Sequence, residues 1–319
     1  MPAKKSKELK LGEPIKFYNG EITLRFDEPS WTYYRVFDDG RMEAQAGVTS
    51  VCGIIDKSFY LIPWACKMMY LKMLRTMPRE DSGATRSIGW DAFDAILQDA
   101  KKAHKDKLED AGNVGLAAHK WIEDTIRNAI ALNGGVVDKM NTMAPTDERS
   151  IKCGLAAFDW MQKHNVRWLS TERKIYSRHY KYAGTADGMS LVDSCDNSAC
   201  CSKMFLDELS LIDWKTSNQL SVGYCYQTAA YQNAITEETG EVIKARWILR
   251  LGKEEGEFES WYEENFAQDF AGYLACLNLW RTHKAVTLRM SETKKLKTFK
   301  KREETSKKKI VFAVRKESA

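Results

Sequence analysis

Residues 209–217 read Leu-Ser-Leu-Ile-Asp-Trp-Lys-Thr-Ser, an apolar run that ends in the triplet Asp213-Trp214-Lys215. In a strand, alternate side chains share a face, so Asp213 and Lys215 point one way and Trp214 the other. A carboxylate and an ammonium then meet where the strand ends. Taken alone, such a pair is an ordinary surface ion pair that contributes little. Its neighbours decide whether it is more.

Upstream, Gly184-Thr185-Ala186-Asp187-Gly188 places an acid between glycines in a strand-like stretch. Glycine beside an acid allows backbone, metal or phosphate to approach closely, although a turn with a solvated Asp has the same composition. Two carboxylates on neighbouring strands beside a lysine suit an oxygen-ligand site for Mg²⁺ or Mn²⁺. Downstream, Gln227 and Tyr231 stand four apart on a helical pattern and share a face, as do His119 and Glu123 on an earlier one.

Outward from this centre the chain divides by texture. Residues 1–14 form a basic leader, and 15–48 read as short strands with hairpin signals at Asn19-Gly20 and Asp39-Gly40. Helical periodicity is predicted over 48–77, 90–110, 113–132 and 146–164, with a loop at 79–88 and a stop at Asn133-Gly134-Gly135. Strands are predicted within 170–180, 182–194 and 204–217, followed by a helix at 219–238, a strand at 242–253 and a helix at 263–284. The expected divisions are a hairpin and helical region over 15–165, a catalytic core over 166–285 and a basic tail over 286–319. The fold class expected is α/β: a mixed central sheet flanked by helices, with an N-terminal β-hairpin and helical elaboration.

The ordered set Gly115 to His119, Glu172, Gly184 to Asp187, Asp213 to Lys215 and Gln227 to Tyr231 resembles the RecB-like branch of the PD-(D/E)xK nucleases. The segment Gly47–Val51, with Ile54–Lys57 and Ile62–Ala65, is similar to the opening region of phage-encoded members. The resemblance implies a restriction-endonuclease-like core and a metal-dependent DNA exonuclease of phage type, acting in recombination, replication or DNA degradation. It implies that Asp187, Asp213, His119 and the Trp214 carbonyl ligate Mg²⁺ or Mn²⁺. Lys215 would orient or help deprotonate the attacking water, or steady the developing charge. Glu172 would stand at the edge of the active site and bind a second metal ion or position a ligand, and Gln227 and Tyr231 would line the groove and hold the DNA backbone or the catalytic lysine.

The interval between Asp187 and Asp213 is longer than is usual in that group, which reads as an extended hairpin and leaves Asp207 and Glu208 as rivals to Asp213. Some relatives carry an iron–sulfur cluster with three cysteines after Gln-x-x-x-Tyr; here Cys276 alone lies well beyond Tyr231, so no such cluster is expected. Cys195, Cys200 and Cys201 lack paired spacing, and zinc is not expected either.

Composition bounds the rest. With 44% hydrophobic residues, 10 Trp and 13 Tyr, the chain is expected to fold. No apolar stretch reaches the roughly 18 residues a membrane span requires, and no apolar segment follows the basic N-terminus. A soluble cytoplasmic protein, in the host cytoplasm if viral, with reduced thiols is therefore expected. The net charge of +5 is modest, but 294–309 is strongly basic, and Lys294, Lys295, Lys300, Lys301 and Arg302 are candidate phosphate contacts. Ile310–Val314 has strand character. Trp64, Trp90, Trp121, Trp160 and Trp168 are read as mostly core, with one or two available to stack on bases. No phosphate-binding Gly-x-x-x-x-Gly-Lys-[Ser/Thr] loop is present. DNA, single-stranded or as duplex ends, is the expected partner, with a single-strand-annealing or replication protein as a further one. A structure-specific endonuclease and a non-catalytic nucleic-acid-binding module are the competing readings. The sequence carries no readable oligomerisation signature.

Overall fold

The computed structural model describes residues 9–77, 88–194 and 204–317, with side chains except at 194, 204–206 and 295–317. It divides into two compact units, residues 1–273 and 274–319.

The first unit begins with a four-stranded antiparallel sheet of β1 (Ile15–Phe17), β2 (Ile22–Asp27), β3 (Thr32–Val36) and β4 (Met42–Ala44). Both expected hairpin turns form. Asn19 and Gly20 take positive φ between Phe17 and Ile22, and Gly40 does so between Val36 and Met42. Residues of the leader join the sheet as well: the Lys10 amide donates to Asp27 Oδ1 at 2.7 Å and the Gly12 amide to the Phe26 carbonyl at 2.8 Å. Phe17, Ile22, Leu24 and Tyr33 close this sheet over Tyr176 and Ala183.

β5 (Ala46–Gly47) enters a second, six-stranded mixed sheet with β6 (Arg167–Ser177), β7 (Tyr182–Ser194), β8 (Met204–Lys215), β9 (Ala245–Leu251) and β10 (Phe258–Glu263). β5 with β7 and β8 with β9 are parallel; the other pairs are antiparallel. The helices are α1 (Val48–Cys52), α2 (Ser58–Thr76), α3 (Trp90–Ala100), α4 (Ala103–Leu132), α5 (Glu148–Lys163), α6 (Val222–Thr239) and α7 (Phe266–Glu317). The fold is thus mixed α/β, a mixed sheet flanked by helices, as the texture of the sequence suggested. Among the described residues no helix is long and apolar enough to cross a membrane.

Several boundaries differ from expectation. The single helix predicted over 48–77 is two, because Gly53 ends α1 and the Asp56 carboxylate takes up the Ser58 amide and hydroxyl at the start of α2. The break near Gly112 falls instead at Lys101-Lys102. One interior glycine costs a helix only about 1 kcal/mol, and the buried stripe Val114, Ala118, Trp121, Ile122, Thr125 and Ile126 holds α4 through it. β10 was not anticipated; it pairs with β9 across an open turn at Gly256. The last helix runs on through the basic tail to Glu317, so Ile310–Val314 is helical rather than extended. The loop predicted at 79–88 lies almost wholly outside the described residues.

One face of the large sheet carries the main core. Trp160 of α5 meets Trp214 at 5.8 Å and Trp247 at 5.4 Å, and Trp168 meets Trp214 at 5.7 Å. Ile122, Ile126, Met161, Ile212 and Leu249 complete this cluster. Trp121, Trp160 and Trp168 are core as expected, whereas Trp90 is exposed and Trp64 partly so. On the other face Arg246 of β9, fully buried, donates to the Cys225 carbonyl of α6 at 3.0 Å and pairs with Asp269 at 2.8 Å.

The turn after α4 ties helix to sheet. Gly135 has φ +90°, its amide donates to the Ala129 carbonyl, and its carbonyl accepts from the Trp168 amide at 2.9 Å. A Cβ here would sit 2.1 Å from the Trp168 carbonyl oxygen. Gly135→Ala is therefore expected to lower stability by about 2–4 kcal/mol, from strain and backbone collision together. Urea unfolding followed by Trp fluorescence checks this; an unchanged midpoint would refute it.

Candidate active site at a fork in the sheet

β7 is the strand on which the site is built. β6 runs along one edge of it, from Tyr182 to Leu191. The opposite edge is shared: β5 pairs at Tyr182 and Ala183, and β8 pairs from Gly188 onward. Among the described residues, 184–187 therefore have no strand partner on that edge. Gly184-Thr185-Ala186-Asp187, the glycine-flanked acid of the sequence, lies in this gap. The ladder between β7 and β8 stops at Gly188 and Ile212. There the Asp187 side chain takes over, its Oδ2 accepting the Trp214 amide at 2.8 Å.

Strand alternation does the rest. Trp214 turns into the tryptophan cluster, so Asp213 and Lys215 both turn to the other face. Lys215 Nζ lies 2.5 Å from Asp213 Oδ2; the carboxylate is 1% and the lysine 15% exposed. The other oxygen, Asp213 Oδ1, has no hydrogen-bond donor among the described residues. The Tyr224 ring stands 4.9 Å from the same ammonium.

Helix α4 delivers His119. It can approach because residue 115 is glycine: a Cβ there would fall 2.7 Å from Thr216 Oγ1, just past the end of β8. One turn further on, His119 Nδ1 lies 3.9 Å from Asp187 Oδ2. A third glycine, Gly184, makes room for the Tyr231 ring and Val48; its Cβ would be 2.9 Å from Tyr231 Cε1.

Glu172 lies across β6 from Asp187, between the pairs Thr171–Gly188 and Arg173–Ala186, with a left-handed φ of +50°. It completes an acidic edge with Asp187, and Glu123 of α4 adds to it electrostatically. Glu123 itself is paired with Arg127 and faces Lys120 at 3.8 Å.

Burial governs the protonation of the cluster. It raises the Asp187 and Asp213 carboxyls, with Lys215 working against it in both. Glu172 rises to about 7, through burial first and the Asp187 charge second. Burial would lower the Lys215 ammonium, but Asp213 and Asp187 together outweigh it and the net shift is upward. His119 falls to about 4, through burial and the Lys215 charge, so the imidazole is neutral at neutral pH.

The structure thus brings together Asp187, Asp213, Lys215, His119, Glu172 and the Trp214 backbone. Gln227 Nε2 donates to the Tyr231 hydroxyl at 2.7 Å, and the residues are 9% and 3% exposed. Tyr231 is also hydrogen-bonded to Thr49, and burial first, then the charge of the two site carboxylates, raises its hydroxyl far above normal. The pair braces the floor of the site. Asp207 and Glu208 sit five to six residues back along β8, about 17–20 Å from Asp213. There they contact Arg167 at 3.3 Å and the Tyr262 hydroxyl at 3.2 Å, so neither rivals Asp213. Lys294 is exposed on α7, and Lys295, Lys300, Lys301 and Arg302 lie on the same helix, their side chains outside those described. Cys195, Cys200 and Cys201 fall outside the described residues.

Tyr224, Thr49 and Thr216 escaped the sequence reading. Tyr224 had a usable signal, since it precedes Gln227 by three on one helical face. Thr49 and Thr216 had none, as each reaches the site by a contact between distant elements.

Elsewhere, Cys225, Glu263 and Asp269 bring potential ligand atoms within 4.8 Å of one another, a condition the residues at the fork do not meet among themselves. Asp269 is already neutralised by Arg246, whereas at the fork the Lys215 ammonium stands against Asp213. No family model matches the chain, and no curated protein matches it.

Because Glu172 is protonated more readily in the folded chain than in the unfolded one, it stabilises the fold below about pH 4. That contribution is lost as pH rises through about 7. Asp187 and Asp213, also raised, act in the same sense. In EDTA the Tm of the wild type is expected to fall between pH 5 and 7.5, and that of Glu172→Gln to fall less. Parallel curves for the two proteins would show that Glu172 is not the titrating group.

Proposed function

We propose that this protein is a metal-dependent deoxyribonuclease of the PD-(D/E)xK type, built on a restriction-endonuclease-like core, that degrades DNA from its ends. The observation that carries the reading is the fork between β5 and β8. There Asp187, Asp213 and Lys215 converge, and Asp213 keeps Oδ1 buried without a donor among the described residues. A buried carboxylate oxygen left without a partner is costly. Two carboxylates, a neutral imidazole and a backbone carbonyl form a donor set that suits Mg²⁺ or Mn²⁺. Asp187, Asp213, His119 and the Trp214 carbonyl would hold the ion, and Glu172 stands where it can position a further ligand.

When bound, such an ion lowers the pKa of a coordinated water and offsets charge on the phosphate oxygens. The chain supplies the remainder. Lys215 keeps its proton, because Asp213 and Asp187 hold it against burial. An ammonium there is a donor to the phosphate oxygens as negative charge builds on them. Tyr224 limits where the ammonium can swing. Gln227 and Tyr231 keep the floor rigid, so the carboxylates need not reorganise during attack.

Asp213→Asn and Lys215→Ala are each expected to lower phosphodiester cleavage by about 100-fold or more while the fold survives. End-labelled linear duplex, linear single strand and circular single strand, incubated with Mg²⁺, Mn²⁺ or EDTA, provide the assay. Metal-dependent loss of linear DNA with the circle intact is expected. A cut circle would replace exonuclease with endonuclease, and no cleavage with any metal would refute the enzymatic reading.

A further inference from the structure

Helix α2 presents an unusual surface. None of its 19 residues is fully buried, and its first turn leaves Phe59 82% and Tyr60 69% exposed, with their rings edge to face at 5.3 Å. The helix carries Lys67, Lys72 and Arg75 and no acid. Lys72 is paired with Asp99 at 3.1 Å, while Lys67 and Arg75 have no acidic partner among the described residues. Lys57 precedes the helix, and the adjacent Asp56 is occupied by the Ser58 amide and hydroxyl at 2.8 and 2.9 Å.

A short chain of contacts links this surface to the fork. Tyr224, whose ring faces Lys215, follows Gly223, and Ile55 packs on Gly223 with its Cδ1 3.5 Å from where a Cβ would stand. From Ile55 to Phe59 the chain spans at most about 14 Å. Exposed aromatic rings, cations of one sign and a nearby phosphodiester-cleaving site are the ingredients of a single-strand path.

We propose that Phe59 and Tyr60 form a stacking platform for unpaired bases of a single-stranded DNA end, which Lys57 and the cations of α2 hold by its phosphates on the way to Lys215. The inference rests on the nuclease reading and names the strand form that site receives. Every base has a π-face, so the platform is indifferent to sequence, and its contacts are salt-sensitive through the phosphates. The helix also exposes Leu61, Ile62 and Tyr70, and a protein surface covering them would still have to match a face of one charge sign; a nucleic acid strand matches rings and cations at once.

The test is binding without catalysis. Fluorescence anisotropy of an end-labelled 20-mer of thymidylate, and of a blunt duplex of equal length, is measured in EDTA for wild type, Phe59→Ala/Tyr60→Ala and the ring-preserving Phe59→Tyr/Tyr60→Phe. The alanine pair is expected to bind the single strand about tenfold or more weakly, with duplex affinity unchanged. The ring-preserving pair should stay within about twofold of wild type, and far-UV circular dichroism and Tm should match for all three. Equal single-strand affinity for wild type and the alanine pair overturns the platform, even where metal-dependent cleavage upholds the nuclease. A change of molar mass on sedimentation of the alanine pair also overturns it, by showing the face to be a contact between copies. Ring-dependent single-strand binding in a protein that cleaves nothing upholds the platform and removes the nuclease.

Discussion

The hydrogen bond from the Trp214 amide to Asp187 Oδ2 couples the two halves of the site, and the rest of the centre is arranged by it. Its donor belongs to β8, its acceptor to β7, and it forms one step beyond the last ladder pair between those strands. The indole of the same residue is locked among Trp160 and Trp168. Core packing thereby fixes the backbone that places Asp213 and Lys215. Any slip of β8 by one residue would exchange the faces, burying Asp213 and Lys215 in the tryptophan cluster and exposing Trp214.

That arrangement has an energetic cost of its own. Two carboxylates and an ammonium are held out of water at the fork, and burial of charge is unfavourable unless geometry repays it. Lys215 stabilises Asp213 at 2.5 Å, yet both site aspartates remain harder to ionise than in solution. The compensation comes from elsewhere in the same unit. The aromatic cluster on the opposite face of β8 buries four tryptophans, and burial of each large apolar side chain contributes about 1.5–3 kcal/mol. The site is a locally unfavourable structure carried by a favourable one at its back.

Close approach is the second constraint. Gly115 lets α4 lie against Thr216, Gly184 admits Tyr231, and Gly188 would drive a Cβ to within 2.5 Å of the Trp168 ring. At these three positions the side chain is absent because another group occupies its place. The N-terminal sheet reaches the same region from the far side, where the Tyr33 hydroxyl meets Thr185 Oγ1 at 2.6 Å. The hairpins that open the chain are therefore part of the wall around the fork.

Much of this was legible in the residues themselves. Alternation in Leu209–Lys215 is a local property, so the shared face of Asp213 and Lys215 followed from strand geometry alone. The same holds for the hairpin turns at Asn19-Gly20 and Asp39-Gly40 and for the helix stop at Gly134-Gly135, each set by positive φ. Local pattern could not find β10, whose pairing with β9 is a non-local choice, nor the run of α4 through Gly112, where burial of one face outweighs a weak local breaker. For Gln227 and Tyr231, helical spacing reports that two side chains share a face but not what that face meets. The sequence by itself determined which residues are able to act together. Tertiary structure alone decided that they meet, because the gap beside Gly184–Asp187 exists only when β5, β6 and β8 compete for the two edges of one strand.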